Sequence, residues 1–574
     1  MKKLSCCLTM MCLGTVVMAA TERRISVADY RDKMKGGWVG QIAGVCWGAP
    51  TEFKWNSRLV PEDKVPVWTP EMINNAFGQD DLYVEMTFLK TLQDYGLDVD
   101  IRQAGIDFAN SRYKLWCANK AGRTNLRRGI APPDSSHPKY NKCPNDIDYQ
   151  IEADYAGLVS PGLPQSVIRL GNVFGRLMNY GDGVYGGQFM GALYAEAFFT
   201  TDRFKMIEAG LACIPSDSQY AEMVRDMVAW YRANPKDWQG AWAKAVAKYR
   251  HNPAYQKASN GNIDVKINGA MVLLGFLWGE GDFDQTIKIS LRGGFDSDCN
   301  PSSAAGPLFT AVGFSKLPAR FSEKLDNETK FSYTAYNFPA LLDACEKIAR
   351  QVVVKEGGRI EKDAKGAEWF VIPVKKPVPN KLELSWAPGP SGDARFTAAE
   401  LAKIELREQN LPSGEEFADP DPTKAVQKTL DRFFKGWKTS TNATDEKPGF
   451  RAGLKRVDGG TETPCVMTHP AARGSHATLS RTLVVPAKKA SLHFRVANEP
   501  QIGDFLLRVR VAGEEIFSTV VSGGDKQSRA FLFRDVDVPL TRWAGQNVTI
   551  ELVNEANGWS WEEAYWSNLE VRGE

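Results

Sequence analysis

The chain has 574 residues, 43% apolar and 24% charged, an ordinary globular composition that excludes disordered and fibrous classes. At roughly 150 residues per domain, two to four domains are expected. Lys and Arg total 71 against 69 Asp and Glu, and the net charge of +2 supplies no field to hold a polyanion, so nucleic acid is not an expected partner. Five His argue against an imidazole-based metal centre, while 16 Trp and 11% aromatics suit cores and flat hydroxylated ligands alike.

The first elements are an address. Lys2 and Lys3 precede an apolar run over 4–18 that is too short to span a bilayer, and Val17 and Ala19 fit small-residue cleavage with a mature start near Ala20. A signal peptide over 1–20 implies a secreted or periplasmic protein, and no later run is long enough for a membrane span. Removing Cys6, Cys7 and Cys12 leaves Cys46, Cys117, Cys143, Cys213, Cys299, Cys345 and Cys465, an odd set without C-x-x-C spacing that signals neither a zinc cage nor a disulfide framework. Cys117 and Cys143 are the pair that an oxidising compartment could bridge.

From Ile25 to about Arg350 the pattern is helical. Ser26 and Asp29 open a helix that runs into a Gly-rich stretch, 36–48. Phe189, Ala192, Leu193 and Ala197 form one helical stripe. Met223, Val224, Met227, Val228 and Tyr231 form another, stopped by Asn234-Pro235, and 267–279 reads as a core helix. An all-α domain over 21–352 is expected, then a short β-like stretch near Trp369 and a Pro-interrupted linker, together 353–435. Over 436–574 the period becomes two. Leu492, Phe494 and Val496, then Leu507, Val509 and Val511, then Val548, Ile550 and Leu552 alternate with polar neighbours, which predicts an antiparallel β-sandwich.

Two doubled acidic motifs stand out in the helical region: Gly78-Gln79-Asp80-Asp81-Leu82 and Gly293-Gly294-Phe295-Asp296-Ser297-Asp298-Cys299-Asn300. Each precedes an apolar helical pattern, and Asp is favoured as an N-cap and in the first turn. Only one side chain can cap, so a second carboxylate at each start exceeds that need. Four carboxylates meeting in one pocket would repel unless a cation neutralised them, and a hard divalent ion, Mg²⁺ or Mn²⁺ before Zn²⁺, suits oxygen donors.

Gly37-Trp38-Val39-Gly40, Gly48-Ala49-Pro50-Thr51-Glu52-Phe53, Gln79-Asp80-Asp81 and Gly294-Phe295-Asp296-Ser297-Asp298-Cys299 follow one another in an order that resembles the ADP-ribosylglycohydrolase family, which includes the glycohydrolase that reactivates dinitrogenase reductase. The resemblance covers about 26–350. It implies an all-α domain holding two Mg²⁺ ions and cleaving a ribosyl C1 bond with a metal-organised water. Gln79, Asp80, Asp81, Asp296 and Asp298 then correspond to metal ligands, and Glu52 to the Glu of G-x-P-x-E near the metals. Asp81 and Glu52 count among the catalytic candidates. Glu152 and Asp154, outside the pairs, are the candidates for proton transfer, or else a solvated helix face. Trp47 and Trp55 flank Glu52 as a sugar-stacking wall or as core.

The chain also departs from the family pattern. Gln79 and Cys299 replace Thr, Val45 replaces an Asp, and the Gly-Asn-Gly block between the motifs is absent. Sulfur is a poor Mg²⁺ ligand. The C-terminal part resembles carbohydrate-binding jelly rolls through 543–550 and through its aromatic end, Gly558-Trp559-Ser560-Trp561 and Tyr565-Trp566. Two functions stand open: an exported hydrolase of an N- or O-glycosidic bond, in ADP-ribose conjugates or a glycan, or a non-catalytic sugar-binding protein with a lapsed hydrolase domain.

Overall fold

The computed structural model describes residues 22–407, 426–427, 430–431, 433–442, 449–458, 461–471, 474–498, 503–522, 532–557 and 562–574. The leader and the Gly558-Trp559-Ser560-Trp561 motif lie outside the described residues. The chain divides into two compact units, one of residues up to 47 with 67–290 and 299–397, the other of 48–66, 291–298 and 398–574. No helix among the described residues is long and apolar enough to cross a membrane. The seven described cysteines, Cys117 and Cys143 included, are thiols.

In the first unit, strand β1 (Glu22–Ser26) leads straight into α1 (Val27–Gly48). At the junction Ser26 Oγ accepts from Asp29 N at 3.0 Å and donates to Asp29 Oδ2 at 2.7 Å, so the helix start read from sequence is present. There follow α2 (Asp80–Tyr95), α3 (Ile101–Ala109), α4 (Cys117–Arg127), the short α5 (Asp148–Ile151) and α6 (Asp154–Leu158), α7 (Pro164–Val173) and α8 (Asp182–Ala197). Then come α9 (Arg203–Ala212), α10 (Gln219–Ala233), α11 (Trp238–Ala245), α12 (Val265–Trp278), α13 (Phe283–Arg292), α14 (Cys299–Val312) and α15 (Phe338–Lys355). Every residue of α12 is buried, as its all-round apolar sequence requires of a central helix. Helix α10 ends before Asn234-Pro235.

A small antiparallel sheet, β1-β3-β2, completes this unit, with β2 at Arg359–Lys362 and β3 at Glu368–Pro373. Phe370, Val371 and Ile372 of the central strand are buried, and Ile25 lies opposite Phe370. The sequence pattern put a β-like stretch near Trp369 but no strand at 22–26, because a five-residue edge strand with one buried side chain leaves almost no period-two signal. Residues 374–397 run along the helices: Arg176 pairs with Glu383 at 2.6 Å, Ser385 Oγ donates to Asn145 Oδ1 at 2.6 Å, and Ile130 forms a bridge with Arg395.

Helices α1 and α14 pack antiparallel, backbone against backbone. A Cβ at Gly36, Gly40 or Gly44 would fall 2.6, 2.8 or 2.4 Å from the carbonyl oxygens of Phe309, Ala305 and Pro301. One glycine per helical turn thus lets the axes approach more closely than any side chain would permit, and it fixes where α14 begins.

The second unit contains two five-stranded antiparallel sheets. One is ordered β10-β9-β12-β7-β4 and the other β11-β8-β13-β6-β5. Their strands are β4 (Lys438–Thr441), β5 (Gly449–Asp458), β6 (Thr461–His469), β7 (His476–Val484), β8 (Ser491–Asn498), β9 (Asp504–Val511), β10 (Glu514–Ser522), β11 (Arg534–Pro539), β12 (Asn547–Glu555) and β13 (Ala564–Arg572). The alternating residues Phe494, Leu507, Val509, Ile550 and Leu552 meet in the core between the sheets, as their period predicts, and no barrel closes. Tyr565 and Trp566 sit in buried clusters of this unit, so they fill the fold and offer no exposed platform.

Candidate active site

The late acidic motif is a tightly held turn. Gly294 has φ of +76°, and a Cβ there would lie 2.1 Å from Trp55 O, so only glycine fits. The next residue, Phe295, also has positive φ, +61°. Phe53 N donates to Phe295 O at 2.9 Å, and the hydroxyls of Thr51 and Ser297 lie 2.7 Å apart. The loop carrying Glu52 is thereby hydrogen-bonded to the turn carrying Asp296 and Asp298. Glu52 and Trp55 are both half-buried in that loop.

Carboxylate oxygens of Asp296 and Asp298 and the Sγ of Cys299 all lie within 4.8 Å of one another, and all three residues are buried. Cys299 Sγ donates to Asp81 Oδ1 at 2.9 Å, so the first residue of α14 touches the first turn of α2. Asp81 is 1% exposed, whereas Gln79 and Asp80 are half-buried. The N-cap of α2 is Gln79, whose side chain makes no capping hydrogen bond; Asp80 and Asp81 are first-turn residues and not caps. By contrast, Asp100, Asp202, Ser218, Asp237 and Asp264 each cap a helix through the side chain.

Behind this surface lies an acidic layer that the doubled motifs did not reveal. Glu85, one turn beyond Asp81, accepts from Gln41 Nε2 at 2.6 Å and from Tyr155 N at 2.8 Å, tying α2 to α1 and α6. Burial, then the nearby Asp154, pushes the Glu85 carboxyl well above the usual range. Asp154 accepts from Tyr194 OH at 2.7 Å, and burial raises its carboxyl to about 7. Glu152, 1% exposed, accepts from Asn119 Nδ2 through Oε1, and its Oε2 has no hydrogen-bond partner. Burial first, then the charge of Asp148, raises its carboxyl far up. Asp148, which accepts from Asn119 N at 2.8 Å, is itself raised to about 7 by burial. Asp80 adds to the raised values of both Asp148 and Glu152, so the early motif and this layer share one electrostatic neighbourhood. Glu152 and Asp154 are therefore not a solvated helix face. Glu85 was legible only as the acid four residues after Asp81 inside an apolar helix pattern, and Asp148 as the acid four residues before Glu152.

Trp47 is 2% exposed and packs on Trp68 and Phe321 with centroid separations of 5.4 and 6.4 Å, which makes it core. Sequence reasoning missed a pocket of about 500 Å³ along α2, lined in part by Thr87, Lys90, Asp107, Arg112, Tyr113 and Tyr333. The ring of Tyr83, three residues beyond Asp80, lies 4.9 Å from that of Tyr113, a residue of the pocket lining, at a tilt of 38°.

The family model for ADP-ribosylglycohydrolase matches residues 26–357, more than half of the chain. The chain belongs to that family. Its helical unit is an ADP-ribosylglycohydrolase fold, and a glycohydrolase-like function goes with it. Among solved structures, an ADP-ribosylglycohydrolase-related protein complex is similar over 57% of this chain and 99% of its own, at 14% identity and a TM-score of 0.35. The cleaved adhesin domain of Lys-gingipain from Porphyromonas gingivalis covers 24% of this chain and 91% of its own, at 15% identity and a TM-score of 0.20. A family 11 carbohydrate-binding module from Clostridium thermocellum, in complex with a β-1,3-1,4-mixed-linked tetrasaccharide, covers 28% and 94%, at 8% identity and a TM-score of 0.17. No curated protein matches the chain. Two buried carboxylates beside a thiol, with Asp81 hydrogen-bonded to that thiol, form a donor set that could hold a divalent ion, although the sulfur is not a donor that suits Mg²⁺.

Proposed function

We propose that this protein is an exported glycosidic-bond hydrolase that works with a divalent cation on a sugar-containing substrate, an ADP-ribosyl conjugate or a glycan. The observation that carries this reading is the convergence of Asp296, Asp298 and Cys299, with Cys299 hydrogen-bonded to Asp81. Such a buried acidic set in a family of glycohydrolases supports a cation at this place. Export rests on the leader pattern of the first 20 residues.

A bound divalent ion would polarise a water toward the anomeric carbon and orient a sugar diol. Asp81, Asp296 and Asp298, with Gln79 and Asp80 at the mouth of α2, are the residues to hold it. Glu52, fixed beside the turn by the Thr51–Ser297 contact, orients the sugar. Burial, then the charge of Asp148, raises the Glu152 carboxyl and so favours its protonated form, which makes its Oε2 the group to protonate the departing oxygen or nitrogen. The α2 pocket, within the size range of small-molecule sites, takes the remainder of the substrate against Tyr113 and Tyr333. The test has two stages: calorimetric titration with divalent ions of wild type and Asp81→Asn, then hydrolysis of aryl glycosides and ADP-ribosyl conjugates by wild type and Glu152→Gln. Absence of both ion binding and turnover in the wild type would refute the reading.

A further inference from the structure

We propose that Cys299 enters the cation site as a thiolate, so that the site takes a borderline ion such as Zn²⁺, Co²⁺ or Fe²⁺ in preference to Mg²⁺. This rests on the cation reading above and adds the identity of the ion. The sulfur is in position. Two ligand atoms bound to one ion at about 2.0–2.3 Å cannot be more than about 4.6 Å apart, and Sγ and the two carboxylate oxygens already lie within 4.8 Å. Small side-chain rotations close the difference.

The hydroxyls of two serines beside Cys299 in the chain are already engaged. The Ser297 hydroxyl is shared with Thr51 at 2.7 Å, and Ser302 Oγ donates to Gln41 O at 3.0 Å. The thiol also has an exit for its proton, since it already donates to Asp81 Oδ1 at 2.9 Å. On ion binding the S–H bond breaks, the sulfur–metal bond forms, and the proton passes through Asp81 Oδ1 to solvent. One proton leaves per ion bound, with no change in oxidation state. Mg²⁺ demands oxygen donors in near-octahedral geometry and gains little from sulfur, whereas thiolate favours later and softer ions.

The probe is Co²⁺, titrated into the full chain and followed in the near ultraviolet, where thiolate-to-cobalt charge transfer absorbs. Wild type should develop the band, and Cys299→Ser should not. By calorimetry, Zn²⁺ affinity should fall at least about tenfold in Cys299→Ser while Mg²⁺ affinity holds or improves. Comparing two buffers of different ionisation enthalpy should give one more proton released per Zn²⁺ in wild type than in Cys299→Ser. The band is read on the wild type, so a poorly folding variant does not blunt the test. Ion binding without a charge-transfer band, or a band that survives in Cys299→Ser, overturns the thiolate proposal and leaves the cation reading standing. No binding of Co²⁺, Zn²⁺ or Mg²⁺ overturns both.

Discussion

Gly44→Ala tests the packing that positions the late acidic turn. A methyl at Gly44 would sit 2.4 Å from Pro301 O, 2.4 Å from Ser302 N and 2.5 Å from Pro301 C, about 1 Å short of ordinary contact. All three atoms are backbone, so no side chain can rotate away, and the axes of α1 and α14 must separate. Overpacking of this kind costs about 1–3 kcal/mol, and the rigid partners put it toward the upper end. Alanine's better helix propensity returns about 1 kcal/mol. The net expectation is a destabilisation of about 1–2 kcal/mol, read from the urea midpoint of the helical signal. Gly389→Ala, where a Cβ meets nothing within 4 Å, is the control and should stay within about 0.5 kcal/mol of wild type. Divalent-ion affinity should fall in Gly44→Ala, because Pro301 lies two residues beyond Cys299 at the start of α14. A Gly44→Ala protein more stable than wild type would mean that propensity outweighs the clash, and the close approach of the two helices would be refuted.

The remaining expectations concern charge and core. Folded Asp154 keeps its proton until about pH 7, while in the unfolded chain it ionises near its ordinary value of about 4. Between those limits the folded state binds the extra proton, so stability falls as pH rises through the window and levels off above it. Asp154→Asn should flatten that slope in urea midpoints taken at about pH 5 and pH 8; unchanged slopes would place the linkage elsewhere. Asp81→Asn should abolish divalent-ion heat in calorimetry while circular dichroism stays native, and retained binding would remove Asp81 from the ligand set. Trp566, fully buried with Nε1 donating to Thr468 Oγ1 at 2.9 Å, should cost about 3–5 kcal/mol as Trp566→Ala in denaturant titration. A cost below about 1 kcal/mol would show that the sandwich core does not depend on it.

What was legible in the sequence was whatever repeats with the period of a single element. Leu507, Val509 and Val511 alternate and are buried together; the apolar run 267–279 falls in the central helix α12 up to its last residue, Trp278, with Gly279 as its C-cap. The doubled acids were legible because two neighbouring carboxylates exceed what a helix start needs, and Gln79 does occupy the cap position. Strand β1 was not legible, since its partner lies more than 300 residues away in β3. Nor was the division of aromatic residues between surface and core. Trp47 and Trp566 are buried while Tyr333 is 54% exposed, a difference set by neighbours from other elements that no local pattern encodes.

The acidic layer shows why the site needed three dimensions. Glu85, Asp148, Glu152 and Asp154 come from separate places on α2 and on the short α5–α6 segment, and nothing in the local sequence shows that they meet. Brought together out of water, they raise one another's carboxyls, as Asp154 does to Glu85 and Asp148 to Glu152. Lys266 sits 3.0 Å from Asp264 and is committed there, so it does not neutralise this group. Burial thus favours the protonated forms of this layer, with Asp148 and Asp154 raised to about 7, and on the proposed function the outer set around Asp81 and the Asp296–Asp298 turn is left to a cation. A carboxylate pressed against a bound cation is a poor proton carrier, whereas a buried acid that holds no cation is a better one. On the proposed function, dividing the acids into an outer and an inner group would supply both, with ion holding at Asp81, Asp296 and Asp298 and proton transfer at Glu152.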